Sequence, residues 1–269
     1  MRYQSVDDQP DPERLVAAMV AADSHRAVQT LREWTTAALN LKSGQSIIDV
    51  GCGPGTSTVE LARIVGPDGL AVGIDVSTSM IAAANQMRTS LTTAKFLVDD
   101  ACNLDFPDGH FDAYRSERTY QHLATPEVAL DEAYRVVRPN GRIAIVDTDW
   151  GSLAIDHPNR PLTERLTGMP RRMPLNSWSG RRLIGQFKQA GCTDIEVMAA
   201  NIIATAWDPE QSPGVAGFPP FATLAAAAVA NSTFTADEGQ QWLAELKEAA
   251  RSDRFFLMVT LVAVCGTRP

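Results

Sequence analysis

Two short apolar segments of the sequence each carry a carboxylate, and the first runs into three glycines at alternate positions. Residues 47–55 read Ile-Ile-Asp-Val-Gly-Cys-Gly-Pro-Gly, and residues 71–75 read Ala-Val-Gly-Ile-Asp. Glycine has no Cβ, so these positions let the backbone turn sharply and let a ligand approach it closely. Asp75 closes the second segment, where an acid at the end of a parallel strand can hold ribose hydroxyls. Together the two segments predict a site for an adenosine-bearing cofactor.

The spacing of the glycines discriminates between kinds of adenosine cofactor. A dinucleotide site requires Gly-x-Gly-x-x-Gly, because its third glycine lets the helix pack on the strand while the helix N-terminus faces a pyrophosphate. Here the third glycine, Gly55, comes one residue early. Asp49, two residues before Gly51, occupies a position that the dinucleotide pattern leaves apolar, and it suits a ligand with an ammonium group and no phosphate. The pattern therefore speaks against a nicotinamide-dependent oxidoreductase, which stays as an alternative.

Asp-x-Gly-x-Gly-x-Gly, followed by an acid on the next strand, resembles motifs I and II of class I S-adenosylmethionine-dependent methyltransferases. Residues 96–101 are similar to that family's third strand, and residues 104–114 are similar to its entry into strand four. Residues 130–145 are similar to its following helix, turn and fifth strand. The motifs occur in the family's order across residues 45–147. The nearest subgroup acts on small molecules and is typified by ubiquinone and menaquinone methyltransferases (methyltransferase type 11) and by natural-product O- and N-methyltransferases.

The resemblance implies which residues hold the cofactor, S-adenosyl-L-methionine. The residues expected at its methionine and ribose parts are Asp49, Gly51, Cys52, Gly53, Gly55, Asp75 and Ser116. The residues expected around its adenine are Val76, Met80, Asp100 and Ala101. In the family pattern Asp49 acts on the amino-acid end, directly or through water, and Asp75 takes the ribose hydroxyls. Met80 could also be plain core. One departure is Asn140, where the family has glycine, although Asn tolerates a left-handed conformation.

Two candidate catalytic residues lie in the segment after strand four, which in this family borders both cofactor and acceptor. His122 could act as a general base, because an imidazole with an unperturbed pKa near 6.5 is largely neutral at pH 7. Structural histidines also occur at this place in the family, so that alternative stays open. Tyr120 could point into the acceptor pocket or pack against the core. No metal is expected in the site.

Two carboxylates follow the expected fifth strand. Asp147 and Asp149 lie at its carboxyl end, the edge at which open α/β sheets hold ligands. They could bind a cationic or hydroxylated acceptor, or they could cap the strand end.

The pattern of the chain predicts a single domain of α/β class over residues 1–269. Alternating strands and helices imply parallel pairing with right-handed crossovers, and therefore a Rossmann-like, doubly wound sheet. The resemblance implies seven strands, six of them parallel, with an antiparallel last strand between five and six. The expected parts are N-terminal helices in 1–40, a cofactor-binding core in 41–149, and a lid with the last strands and helices in 150–269. Irregular stretches at 151–178 and 207–220 are the candidate lid.

The expected elements can be stated with their bounds. Strands are expected near 46–50, 71–75, 95–99, 111–115, 142–147, 193–198 and 255–265. Helices are expected over 15–20, 27–39, 55–65, 78–90, 126–137, 179–190, 222–230 and 237–251.

Composition restricts the class of partner. A formal charge of −8 and a pI near 5.0 argue against a nucleic-acid surface, which needs a positive footprint. The four cysteines lack metal-ligand spacing and are expected to be buried thiols of a reducing compartment. No apolar stretch reaches the ~18 residues of a spanning helix, so a cytoplasmic protein without a membrane anchor is expected.

The resulting prediction is an enzyme that transfers a methyl group by in-line displacement to an O, N or C nucleophile of a small organic acceptor. Aromatic residues in the lid region favour a secondary metabolite or quinone-like ring: Trp150, Trp178, Trp207, Phe218 and Phe221. The alternative is a protein of the same fold that binds the cofactor but performs a non-methylating reaction, or only binds. A homodimer through the N-terminal helices or the alanine-rich stretch 222–230 is left open.

Overall fold

A computed structural model describes residues 7, 20, 23–87, 91–168 and 176–269. In this part of the chain one sheet contains the strands β1 Ser46–Val50, β2 Leu70–Asp75, β3 Ala94–Val98, β4 Phe111–Glu117, β5 Val137–Ile155, β6 Thr193–Ala204 and β7 Leu257–Thr267. The helices are α1 Arg26–Leu39, α2 Thr56–Val65, α3 Thr78–Met87, α4 Pro126–Val136, α5 Arg160–Gly168, α6 Ser179–Gln189, α7 Phe221–Ala230 and α8 Ala236–Arg251. Residues 15–19 of the helix expected over 15–20 and residues 88–90 of the helix expected over 78–90 lie outside the described residues.

The strand order is β3-β2-β1-β4-β5-β7-β6. Strands β1 to β5 pair in parallel, and β7 runs antiparallel between β5 and β6. This confirms the predicted seven-stranded, doubly wound sheet. The order reverses between β1 and β4, and open α/β sheets bind ligands in the crevice beyond the carboxyl ends of the strands at such a switch point.

The centre of the sheet is covered on both faces. Ile47 and Ile48 of β1 point to opposite faces and are both fully buried. Ile47 packs in the cluster beneath α1 and α2, and Ile48 packs in the cluster beneath α4 and α6. Burial on both faces explains the continuous β-branched run of this strand, which is typical of parallel sheets.

The region after the core differs from the sequence prediction. Strand β5 starts at Val137 and continues to Ile155, so residues 151–155 belong to the sheet and not to a lid. The extension pairs with β7, as Ala154 with Met258, after a shift in register beyond Asp149. The stretch 207–220 is irregular, as predicted.

The aromatic residues of the second irregular stretch form a core instead of an open wall. Trp207, Phe218 and Phe221 are each at most 9% exposed, and they pack with Phe255. These three rings therefore belong to a buried cluster, and their assignment to a lid that shapes the acceptor site stays a prediction. No helix within the described ranges is long and apolar enough to cross a membrane.

Candidate functional site

The bend after β1 is a left-handed glycine loop. Gly51, Gly53 and Gly55 have φ of 72°, 52° and 87°. The N–H groups of Gly51 and Cys52 both donate to the carbonyl oxygen of Ile74, at 2.8 and 2.9 Å. These bonds tie the bend to the end of β2, and α2 begins directly after it.

Close packing leaves no space for a side chain at two of the three glycines of this loop. A Cβ on Gly51 would lie 2.0 Å from Oγ1 of Thr119, and a Cβ on Gly55 would lie 2.7 Å from the ring of Phe96. Contacts below 3 Å are not tolerated, so both positions require glycine for space as well as for backbone conformation. The loop is therefore a thin cradle held between β2, β3 and the segment after β4.

Asp75 connects the loop to the next strand. Its Oδ2 accepts a hydrogen bond from the Gly53 N–H and its Oδ1 accepts one from the Ser77 N–H, both at 3.0 Å. Burial raises the pKa of this carboxyl, while the two backbone donors act against that shift. A carboxylate oxygen has two lone pairs, so each oxygen retains capacity for a further donor such as a ribose hydroxyl.

Asp49 lies beneath the loop and not within it. The residue is 1% exposed, and its Oδ2 accepts from Oγ1 of Thr58 at 2.7 Å. Its Oδ1 accepts from Nη1 of Arg115 at 2.9 Å, and this arginine is 2% exposed. The placement gives Asp49 a role in fixing the loop, and contact with the amino group of a cofactor stays a prediction.

A buried charge network extends from this pair towards α1. Besides Asp49, Arg115 binds Glu117, whose other carboxylate oxygen accepts from Nη2 of Arg32 at 2.9 Å. Arg118 lies 3.2 Å from Glu117 and 2.6 Å from Asp23, which also binds Arg32. Burial alone would raise the pKa of Glu117, but the three arginines lower it to about 2.

Sequence reasoning missed this network. Arg115 and Glu117 are two charged residues at alternate positions of a strand that is otherwise buried, so both point to the same face. Charged residues are almost never fully buried unless they are paired. That spacing was the signal that could have indicated a buried ion pair.

The segment after β4 folds over the glycine loop. Arg118 has a left-handed φ of 56°, which is uncommon outside glycine, and its N–H donates to the carbonyl oxygen of Val146 at 2.7 Å. The buried Ser116 donates from Oγ to the carbonyl oxygen of Val50 at 2.9 Å. Ser116 and Thr119 therefore lie against the end of β1, at the switch point of the sheet.

Tyr120 and His122 belong to a short 3₁₀ turn, Tyr120–His122. Tyr120 is 1% exposed, and its hydroxyl is 3.0 Å from the hydroxyl of Tyr114. Burial raises the pKa of Tyr120 well above its usual value, as does the neighbouring Tyr114. This placement favours the packing role of Tyr120 over a role facing an acceptor.

The environment of His122 also departs from the expectation of a near-neutral pKa. Burial lowers the pKa of His122 to about 3, and the charge of Arg118 contributes to the shift. The imidazole is therefore neutral at pH 7, but so low a pKa makes it a weak proton acceptor. The structural alternative is the one this environment favours.

The adenine side of the predicted site is partly apolar surface. Val76, directly after Asp75, is 42% exposed, and Val98, which pairs with Asp75 in the sheet, is 53% exposed. Asp100 is exposed, and its Oδ1 accepts from the Cys102 N–H at 2.9 Å. A flat ring that settled here would bury both valines, and Val98 was not singled out from the sequence.

Met80 and Ala101 are placed differently from the exposed valines. They are 1% and 5% exposed, and Ala101 belongs to the core cluster under α4. Their side chains contribute to packing, and a role for either at the adenine stays a prediction.

Asp147 anchors the 3₁₀ turn from the end of β5. The residue is fully buried, and its Oδ2 accepts from the Gln121 N–H at 2.6 Å and from Oγ of Ser179 at 2.7 Å. Burial raises the pKa of Asp147 to about 7. The side chain of Gln121 in turn accepts from Nε1 of Trp150 at 2.6 Å. Of the two alternatives for Asp147, the structure favours the structural one.

Asp149 is bound in a similar way, by Nε of Arg181 at 2.8 Å. The guanidinium of Arg181 also lies 5.2 Å from the ring of Trp178, which is 51% exposed. Nearby, the rings of Trp150 and Phe218 are 5.4 Å apart. The surface next to Asp149 therefore presents the ring of Trp178 and the guanidinium group of Arg181.

Parts of this chain are similar to known proteins in sequence and in fold. A family model with the description "Methyltransferase domain" matches residues 41–180. An uncharacterized 37.1 kDa protein in transposon Tn4556 of Streptomyces fradiae is 35% identical over 158 residues, which are 59% of this chain and 45% of that protein. The 2-methyl-6-phytyl-1,4-hydroquinone methyltransferase of Synechocystis is 33% identical over 168 residues, which are 61% of this chain and 47% of that protein.

Among solved structures, phosphoethanolamine N-methyltransferase 2 of Haemonchus contortus, in complex with phosphomonomethylethanolamine and S-adenosylhomocysteine, is similar with a TM-score of 0.61. It is 16% identical, and the match covers 100% of this chain and 61% of that one, so the likeness shows the fold alone. The chain spans about half the length of the curated relatives it matches.

Proposed function

Since the chain belongs to the methyltransferase-domain family, we propose that it binds S-adenosyl-L-methionine and methylates a small organic acceptor. The acceptor nucleophile is an O, N or C atom. The observation that carries the proposal is the pair formed by the glycine cradle and the Asp75 carboxylate, which meet through the Gly53 N–H at the switch point of the sheet.

The groups at this place fit the cofactor. From the described part of the chain, each oxygen of Asp75 accepts one hydrogen bond, so both can accept another from a ribose hydroxyl. The exposed Val76 and Val98 supply apolar surface for adenine. Gly51, Gly53 and Gly55 carry no side chain that could block the methionine part. When bound, S-adenosylmethionine would supply an electrophilic methyl carbon, which the acceptor nucleophile attacks while the thioether of S-adenosylhomocysteine leaves.

The residues of the chain would then contribute mainly by positioning. Asp75 and the loop orient the cofactor, and the segment Ser116–Thr119 closes the switch point from the β4 side. Well-oriented reacting groups contribute roughly 7–11 kcal/mol to lowering a barrier. A general base adds typically 10²–10⁴-fold where a proton must leave. His122 was predicted for that role, but its lowered pKa fits a structural role better.

For the acceptor we propose a secondary metabolite or a quinone-like ring. Trp178, which is 51% exposed and lies against Gly151, supports this, as does a relative whose name gives a substituted hydroquinone as its substrate. A nucleic-acid acceptor does not fit a formal charge of −8. The four free thiols support placement in the cytoplasm, where cysteines stay reduced.

The test is incubation of the purified protein with methyl-labelled S-adenosylmethionine and a panel of hydroquinones, phenols and amines. Label in a product together with S-adenosylhomocysteine supports the proposal. Binding of the cofactor without turnover on the panel or on cell extract would support the non-methylating alternative. Asp75→Asn should abolish product formation at low cofactor concentration, and the matched control Asp105→Asn, at an exposed carboxylate outside the cradle, should not.

A further inference from the structure

The carboxylate of Asp7 is bound at the start of α3, although Asp7 precedes Ser77 by 70 residues in the chain. Its Oδ1 accepts hydrogen bonds from Oγ of Ser77 at 2.7 Å and from the Ser79 N–H at 3.1 Å. Its Oδ2 accepts from the N–H and from Oγ1 of Thr78, at 2.9 and 3.0 Å. Burial alone would raise the pKa of Asp7, but these donors lower it well below its usual value. One carboxylate thus holds three consecutive residues of the turn between β2 and α3.

Asp7 completes a cap that α3 begins for itself. Ser77 precedes the helix, and its Oγ accepts from the Met80 N–H at 3.1 Å, as an N-cap side chain does. That bond leaves the N–H groups of Thr78 and Ser79 for another acceptor, and Asp7 accepts from both. The first turn of α3 contains no acidic residue of its own. The negative charge that is favourable at a helix N-terminus is therefore supplied by a distant part of the chain.

The same serine is the second anchor of the Asp75 carboxylate. The Ser77 N–H donates to Oδ1 of Asp75 at 3.0 Å, while the Gly53 N–H holds Oδ2. Ser77 is 3% exposed, with its N–H bound to Asp75 and its hydroxyl bound to Asp7. The three residues therefore form a chain of hydrogen bonds that ends at the carboxylate proposed for the ribose hydroxyls.

Charge attraction is not what relates the two carboxylates. Burial is the main cause of the raised pKa of Asp75, and the negative charge of Asp7 adds to it. What Asp7 can give Asp75 is orientation, because a fixed Ser77 N–H keeps Oδ1 of Asp75 in one place. Groups that are already ordered lose less freedom when a ligand binds, and the ligand then binds more tightly. Asp7 is exposed, so its replacement leaves no cavity in the core.

We propose that Asp7 is a positioning residue for the ribose of the cofactor, and that it acts through Ser77 on the carboxylate of Asp75. The inference rests on the proposed binding of S-adenosylmethionine. The contact of Asp7 with the start of α3 and the binding of the nucleoside are then linked, so that each strengthens the other by the same factor. The effect belongs to the ribose end of the cofactor and not to its amino-acid end.

Calorimetric titration with S-adenosylhomocysteine tests the proposal. Asp7→Ala should weaken binding about three- to tenfold, which corresponds to the loss of a helix cap. Asp7→Asn keeps one acceptor oxygen and should lie between Asp7→Ala and wild type. Binding of 5′-methylthioadenosine, which lacks the amino-acid part, should weaken by the same factor. The matched control Asp237→Ala removes an exposed acid from the first turn of α8 and should leave both affinities unchanged.

A second background separates positioning from general damage to α3. With Asp75→Ala in place, Asp7→Ala should weaken binding by less than about twofold further, because the side chain that Asp7 orients is gone. Circular dichroism checks that the variants fold. The same loss in both backgrounds would overturn the proposal, as would a loss for S-adenosylhomocysteine without one for 5′-methylthioadenosine. If folded wild-type protein binds neither ligand, the proposed function itself is wrong; if it binds them and Asp7→Ala binds equally well, only the positioning role is wrong.

Discussion

Replacing Arg115 by methionine should destabilise the protein strongly, because the charged side chain is almost completely buried among carboxylates. Arg115 is 2% exposed and bridges Asp49 to Glu117. Glu117 would keep Arg32 and Arg118 as partners, but among the residues that the structure describes Asp49 would keep only the Thr58 hydroxyl. Breaking a buried pair by removing one partner costs about 3–5 kcal/mol, because the remaining charge is uncompensated. We therefore expect a loss of about 3–5 kcal/mol in the free energy of unfolding.

Urea unfolding near neutral pH, followed by the fluorescence of the five tryptophans, measures this loss. The slope of free energy against urea should stay unchanged, which would show that the unfolded state is not altered. Arg115→Lys keeps the charge but cannot bridge two carboxylates as a fork, so it should lie between wild type and Arg115→Met.

A double-mutant cycle separates the lost pair from general damage to the core. Adding Asp49→Asn to Arg115→Met removes the unpaired charge, so the double variant should recover about 2 kcal/mol relative to Arg115→Met alone. Since Gly51 follows Asp49 by two residues, Arg115→Met should also weaken cofactor binding. A loss below about 1 kcal/mol, or strictly additive effects of the two changes, would refute the idea that this pair holds the cradle in place.

Three further predictions concern single carboxyl and imidazole groups. Asp75→Ala should weaken binding of S-adenosylhomocysteine at least tenfold by calorimetry, because a charged acceptor for ribose hydroxyls is lost; affinity equal to wild type would contradict this. His122→Ala should retain cofactor binding and lower turnover by far less than the roughly 10²–10⁴-fold of a general base. Because burial holds its pKa near 3, the wild-type turnover should show no break near pH 6.5 from this group; a loss of about 10²-fold or more with binding retained would make His122 the base. Burial raises the pKa of Asp147 to about 7 in the native state, whereas the unfolded value is near 4. Between these pH values the native protein binds more protons than the unfolded protein. The contribution of Asp147 to the free energy of unfolding therefore falls as the pH rises from about 4 to about 7, by at most about 4 kcal/mol. The stability of wild type relative to Asp147→Asn, measured by urea unfolding across this range, should decline accordingly, and a pH-independent difference would contradict the shift.

Local sequence was sufficient for the elements that form the cradle. The run before Gly51 and the run ending in Asp75 predicted β1 and β2 to within one residue, because strand propensity and glycine spacing are local properties. The left-handed conformation expected for Asn140 is present, with φ of 66°. Backbone features that depend on one residue type are readable from the sequence in this way.

Features that depend on distant partners were not predictable. Asp49 and Arg115 are 66 residues apart, and nothing local indicates that they bind each other. The extension of β5 to Ile155 depends on pairing with β7, more than a hundred residues later. The role of Tyr120 depended on whether its hydroxyl finds Tyr114 or an acceptor, which spacing alone does not decide.

The most direct test of the account is calorimetric titration of the purified protein with S-adenosylhomocysteine, the demethylated product. We expect one site per chain in the micromolar range or tighter, and weaker binding to Asp75→Asn. Absence of binding to both S-adenosylhomocysteine and S-adenosylmethionine by folded wild-type protein would contradict the claim that the glycine bend and Asp75 form a cofactor site.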